Sequence, residues 1–219
     1  MNEAQLRTLY CEQRLSMMEI AQRLSTTHAT VLYWLKKHAI QRRSWSESTY
    51  AKRNPIGDPF TIPDRLSPEQ EALLQAGLLL YWAEGTKGGP SLQIANLDPR
   101  MLQLFVKFLR LVCRIHEQRL YVYVRVHRSF SRTAARRYWS RLLSIVPTRV
   151  HVYMHTDTRG KRKQWSPYGL ATLEFHNSKL KRWLEQAINE YVEQQLQTSR
   201  TDPRYAWLVK DAEGTYALN

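Results

Sequence analysis

Apolar residues over the first 40 positions recur at helical spacing in three short blocks. Leu6, Leu9 and Tyr10 mark the first, and Met17, Ile20, Ala21 and Leu24 the second, with Ser16 as its N-cap. Ser25, Thr26 and Thr27 supply a turn and a cap, and a third helix from Ala29 to His38 turns Val31, Leu32 and Leu35 inward. Residues 44–66 break every periodicity with Pro55, Pro59, Pro63 and Gly57 among polar residues, which predicts a semi-extended linker. Ser67-Pro68-Glu69-Gln70 then opens a strong helix: a serine N-cap, proline at the first helical position, and glutamine placed to close a capping box. This helix runs to Glu84-Gly85 and is apolar nearly all round, so it is expected to be buried on several sides at an interdomain or intermolecular seam.

The pattern then alternates. A strand is predicted over Ser91–Asn96, a helix from Arg100 to about Ile115 capped by Asp98-Pro99, and a strand over Leu120–His127. A helix over Ser131–Leu143, strands over Val150–His155 and Tyr168–His176, and a helix from Ser178 to about Gln195 complete the order. Along 120–127, Tyr121, Tyr123 and Arg125 fall on one face and Val122, Val124 and Val126 on the other, so the first set is free to meet a partner. Residues 197–219 are expected to form a tail or hairpin. Trp207 to Gly214 ends in the same letters as the earlier helix, but Lys210 interrupts its apolar seam.

Charge narrows the class of partner. The chain of 219 residues carries a formal +14. Between Arg100 and Lys163, sixteen Lys and Arg stand against only Glu117 and Asp157, so this segment holds the whole excess. A folded segment so one-sided repels itself unless phosphates neutralise it, which points to nucleic acid. No apolar run approaches the ~20 residues that span a bilayer, and Met1 to Ala4 lack the basic and apolar regions of a signal peptide. A cytoplasmic, nucleoid-associated protein without a membrane partner is expected. Cys11 and Cys113 are read as buried, reduced thiols, and His116, His127, His151, His155 and His176 as strand or loop surface. No phosphate loop, dinucleotide fingerprint or nucleophile elbow is present.

Two resemblances sharpen the expectation. Leu15 to Ser25, continued by Thr30 to His38, resembles the helix-turn-helix of resolvases and many bacterial regulators. That resemblance implies a third helix in the major groove, with Thr27, His28, Thr30 and Tyr33 toward bases and Arg42 and Arg43 toward phosphate or the minor groove. Gly77-Leu78-Leu79-Leu80-Tyr81-Trp82-Ala83-Glu84-Gly85 resembles the nine-residue motif of the LAGLIDADG homing endonucleases. Trp82 stands where the motif is often acidic, and Leu78 and Leu79 replace its small pair. The helix over 131–143 makes the chain look more like the family's regulator-like branch.

The resemblances imply an α+β fold: a LAGLIDADG-like saddle with an antiparallel sheet and flanking helices, plus a small all-α helix-turn-helix domain. Domains are expected at 1–43, 67–196 and, as a tail, 197–219, with 44–66 as linker. They further imply a homodimer meeting at Gly77, Leu80 and Ala83, and a Mg or Mn ion held by Glu84 with Gly85. Lys87, Lys161 and Lys163 become candidate basic groups beside the metal, and Tyr121, Tyr123, Arg125, Arg128 and Arg149 candidate contacts to double-stranded DNA. A metal-dependent DNA endonuclease and a non-cleaving transcriptional regulator both stay open. An RNA-binding role fits less well, because the A-form major groove is too narrow for a recognition helix.

Overall fold

A computed structural model of the chain describes residues 1–156 and 166–200 and the short strands Val209–Lys210 and Tyr216–Ala217. These divide into two compact units, Met1–Pro59 and Phe60–Asn219.

The first unit is helical. Helix α1 (Glu3–Arg7) continues as a π-helical turn, Thr8–Glu12, and is followed by α2 (Met17–Arg23) and α3 (His28–Lys37). Their apolar stripes meet at Leu6, Ile20, Val31 and Leu35, with Tyr10 beside them. Ser16 and Glu19 form a capping box on α2, and Ser25, at φ 50°, turns the chain before Thr27 caps α3. The expected linker is instead partly helical. Ser44 and Glu47 form a second capping box that starts α4 (Trp45–Arg53), and a carboxylate three residues after a serine was the available signal. Arg14 fastens the end of this helix, donating to the Asn54 carbonyl and to Asp58, both at 3.2 Å. The first unit therefore extends to Pro59, beyond the expected boundary at 43, while Phe60, Ile62 and Leu66 pack on the second core. Cys11 is exposed, contrary to expectation, because its helix turns it away from the Leu6–Ile20 core; Cys113 is buried and burial pushes its thiol well up.

The second unit begins with α5 (Pro68–Glu84) and continues β1 (Leu92–Asn96), α6 (Pro99–Leu111), β2 (Leu120–His127), α7 (Arg132–Leu143), β3 (Val150–His155), β4 (Leu170–Phe175) and α8 (Ser178–Arg200). The chain also pairs β5 (Val209–Lys210) antiparallel with β6 (Tyr216–Ala217), a hairpin within the expected tail. The main sheet has the order β1-β4-β2-β3. It is mixed, where an antiparallel sheet was expected. β2 and β3 are parallel, and β4 is antiparallel to both β1 and β2, so β1, β2 and β3 all run one way. The physical reason is the helix between each pair: a crossover returns the chain to the end from which the first strand started.

Val122, Val124 and Val126 from β2, Val150 and Val152 from β3, and Ala171 and Leu173 from β4 fill one side of the sheet. Helices α5, α6, α7 and α8 send Tyr81, Phe105, Trp139 and Leu184 into the same core. β3 lies at an edge, where unpaired carbonyls invite a foreign strand. Arg132 and Arg136 of α7 cover two of them, donating to the Val152 and Val150 carbonyls at 2.9 and 3.1 Å.

Gly77 sets the approach of α5 to α6. A Cβ there would lie 2.3 Å from the Phe108 ring, itself fully buried. Alanine would gain about 1 kcal/mol of helix propensity, yet the ring has nowhere to move. Gly77→Ala should therefore lower unfolding stability by about 1–3 kcal/mol, with recovery when Phe108→Leu is added, both read by chemical denaturation. A more stable single variant would contradict this account of the crossing.

Candidate nucleic-acid interface

The side of the sheet opposite the core carries rings. Alternation on β2 buries its valines and turns Tyr121, Tyr123, Arg125 and His127 outward, as the period of two predicts. Parallel register places His151 beside Tyr123 and Tyr153 beside Arg125. Four rings then lie nearly parallel. Tyr123 and His151 are 5.3 Å apart at 21°, Tyr121 and His151 6.0 Å at 22°, and Tyr123 and Tyr153 6.3 Å at 21°. A groove of about 240 Å³ opens beside them, lined by Tyr123, Val124, Arg125, Tyr153, Leu170 and Thr172. Gly169, just before the lining residue Leu170, has φ 74° and lies so close to β2 that a Cβ would strike the Arg125 carbonyl at 2.3 Å.

Cations surround the rings. Arg125 and Arg128 are exposed, and the Arg149 guanidinium lies 5.7 Å over the Tyr121 ring while donating to the Glu117 carbonyl at 2.7 Å. The one carboxylate within the four strands is Glu174. It is nearly buried, and His176 Nδ1 stands 3.1 Å from it. Burial first, and the Glu174 charge second, raise the Tyr123 hydroxyl above the usual range, so it remains a neutral donor at neutral pH.

The end of α5 is arranged differently from what the motif implies. Glu84 is exposed, and among the described residues no cation pairs with it. Gly85 owes its lack of side chain to Tyr81: a Cβ would lie 2.3 Å from the Tyr81 carbonyl and 2.4 Å from its ring. Lys87 is occupied at the helix terminus, its Nζ donating to the Tyr81 and Trp82 carbonyls at 3.1 and 2.6 Å. Lys161 and Lys163 lie outside the described residues, as does Trp207–Gly214 apart from Val209–Lys210. Of the three expected interface residues, Gly77 is spent on Phe108 and Leu80 is half-buried against its own core. Ala83 does face outward, and Leu79 and Trp82 join it there.

The loop after α5 depends on a residue that periodicity alone passed over. Lys181, only 5% exposed, donates from Nζ to the carbonyls of Lys87, Gly88 and Gly89 at 2.8, 2.9 and 2.8 Å, with Glu185 at 3.4 Å. The signal was its place between Leu180 and Leu184 on the apolar stripe of α8. Among the described residues no group of three His, Cys, Asp or Glu could hold a metal, so Glu84 would hold magnesium only together with phosphate oxygens and water. His151 and His155 share a strand face but stand about 13 Å apart along it, too far for one ion.

In the first unit, Thr27 and Thr30 are partly committed to the cap of α3: Thr27 Oγ1 accepts from Thr30 N at 3.1 Å, and the two hydroxyls lie 2.9 Å apart. His28 and Tyr33 are exposed on that helix, and Arg42 beyond it. Arg43 is engaged within the unit. Its guanidinium lies 4.1 Å over the Tyr10 ring and donates to the Arg14 carbonyl at 3.0 Å and to the Leu15 carbonyl, tying the turn before α2 to the chain after α3.

No family model matches the chain, and no curated protein or solved structure matches it.

Replacing the Lys181 ammonium should expose how much the loop after Glu84 relies on it. Lys181→Met keeps the stem and leaves three carbonyls without their donor, so stability should fall by about 2 kcal/mol and protease should cut within residues 86–90. Unchanged denaturation and unchanged cleavage would show that the clamp is dispensable.

Proposed function

We propose that the chain is a DNA-binding protein in which the helical unit reads sequence on double-stranded DNA and the sheet unit supplies most of the affinity. The observation that carries this reading is the open sheet face, where among the described residues exposed arginines and aromatic rings stand around one nearly buried carboxylate, that of Glu174. The whole formal excess of +14 falls in the segment containing β2, α7 and β3. In the first unit, the exposed His28 and Tyr33, with Thr27 and Thr30 at the helix start, support base reading by α3, and Arg42 supports a phosphate contact. A nucleoid-associated location in the cytoplasm follows from that reading.

Binding should weaken by about a thousandfold between about 50 and 200 mM salt if about six phosphates are contacted. Removing residues 1–59, which have their own core, should reduce discrimination between sites more than it reduces affinity for random duplex. Salt-independent binding, or a folded 60–219 fragment with no affinity for any DNA, would end this division of labour.

One observation favours cutting as well as binding. A carboxylate at a helix C-terminus faces the negative end of the helix, and Glu84 has neither a capping role nor a cation among the described residues to offset that. The likeness to the LAGLIDADG motif supplies the corresponding activity, a divalent-metal-dependent endonuclease. It requires two copies, with exposed Leu79, Trp82 and Ala83 at their meeting line, because the chain carries one such motif and the two strands of a duplex call for a carboxylate each. Trp82→Glu should then split a dimer into monomers of 25.9 kDa. Glu84→Gln should abolish cleavage of a selected site in Mg or Mn and spare its binding. A wild type that holds its site tightly and leaves it intact would mark the protein as a non-cleaving regulator.

A further inference from the structure

We propose that the open sheet face takes unpaired bases of single-stranded DNA, one of them seated in the groove beside Tyr123 and Tyr153. The inference rests on the DNA-binding reading and adds to it the form of DNA that this face engages. Duplex DNA offers a protein phosphates and base edges, while the faces of its bases cover one another. Tyrosine and histidine rings ranged along a sheet have little to stack on there. Unpaired bases expose those faces, and every base has one.

The rings are not needed for the core, which the opposite residues of β2 and β3 already fill. Tyr153 keeps 55% of its surface exposed, a cost for an aromatic ring that a partner would remove. Among the described residues no hydrogen bond engages the hydroxyls of Tyr121, Tyr123 or Tyr153, so each is open to a base edge or phosphate. The groove is lined by Tyr123, Tyr153 and Leu170 together with Arg125, whose guanidinium suits the backbone that carries the base. Arg149, already lying over Tyr121, marks a second ring where a guanidinium and a base could share one stack. The rings at 5.3–6.4 Å from one another extend along both strand directions, so neighbouring bases of one strand meet neighbouring rings.

The test uses the full chain and a strand of about 12 nucleotides carrying 2-aminopurine, whose fluorescence falls when the base stacks. Anisotropy gives affinity, and the same sequence as duplex DNA and as RNA provides the comparison arms. The wild type should bind the single strand with quenching of the 2-aminopurine. Tyr153→Ala should lower single-strand affinity about tenfold and relieve the quenching. Tyr153→Phe keeps the ring and should keep the quenching. Single-strand binding without quenching, or with quenching untouched by Tyr153→Ala, would overturn the proposal. Tighter binding of the RNA strand would overturn its assignment to DNA. A protein that binds duplex but not single strand refutes this inference alone, and one that binds no nucleic acid at all refutes the reading beneath it.

Discussion

The hand of the crossovers is the constraint from which the rest of the second unit follows. Connections between parallel strands are almost all of one hand, so two crossovers that step the same way across a sheet put their helices on the same side. Here β1 leads through α6 to β2, and β2 through α7 to β3, each moving toward the β3 edge. Leu102, Phe105 and Leu109 of α6 and Ala135, Trp139 and Leu143 of α7 accordingly share one core. β4 enters last, between β1 and β2, antiparallel to both. Because no crossover steps back, the topology leaves the far face for Tyr121, Tyr123, His151 and Tyr153. The candidate surface thus arises as a by-product of chain direction.

The basic excess has two uses that sequence alone could not separate. Arg132 and Arg136 shield the β3 edge, and Arg110 holds Glu117 at 2.7 Å and the Leu143 carbonyl at 2.9 Å. A guanidinium bonded to a carbonyl keeps its full charge, so these residues still contribute to the field that draws a polyanion while their donors are committed to the fold. Among the described residues no such duty falls to the side chains of Arg125 and Arg128, which lie on the ring-bearing strand and the turn after it. The same segment is therefore both braced and attractive, and its charge cannot be equated with a count of phosphate contacts.

Periodicity made most elements readable: α2, α3, α5, α6, β2, α7 and β3 fall where apolar spacing and caps place them. Strand direction was not readable in the same way, since a run such as Leu120–His127 pairs equally well in either sense and only its connections decide. Helix α4 was hidden by prolines that in fact lie after it, at Pro55 and Pro59. Arg43 was read beside Arg42 as a candidate phosphate contact, and nothing local reveals that Tyr10 lies beneath its guanidinium. Of the candidate site, Tyr121, Tyr123 and Arg125 were accessible from alternation, whereas His151, Tyr153, Leu170 and Thr172 required the register of three strands. Gly77 and Gly85 were identified as special positions, but their partners, Phe108 and Tyr81, emerge only from packing.

Separate cores give the two units separate energetics. Leu6, Ile20, Val31 and Leu35 stabilise the first without any residue beyond Pro59, and the second has its own larger set. On the proposed DNA-binding reading each would bind with an intrinsic affinity of its own, and joining them would matter through effective concentration: once one unit is bound, the other searches a small volume instead of free solution. A weak but selective helix and a stronger, less selective basic face are complementary under that arithmetic. On the proposed function, the face would hold the protein on DNA long enough for the helix to test sequence, and the helix would decide where the hold persists. If the rings of that face prefer unpaired bases, selection acquires a second criterion besides sequence, namely how readily the neighbouring duplex opens, which is least costly at flexible pyrimidine–purine steps and damaged sites.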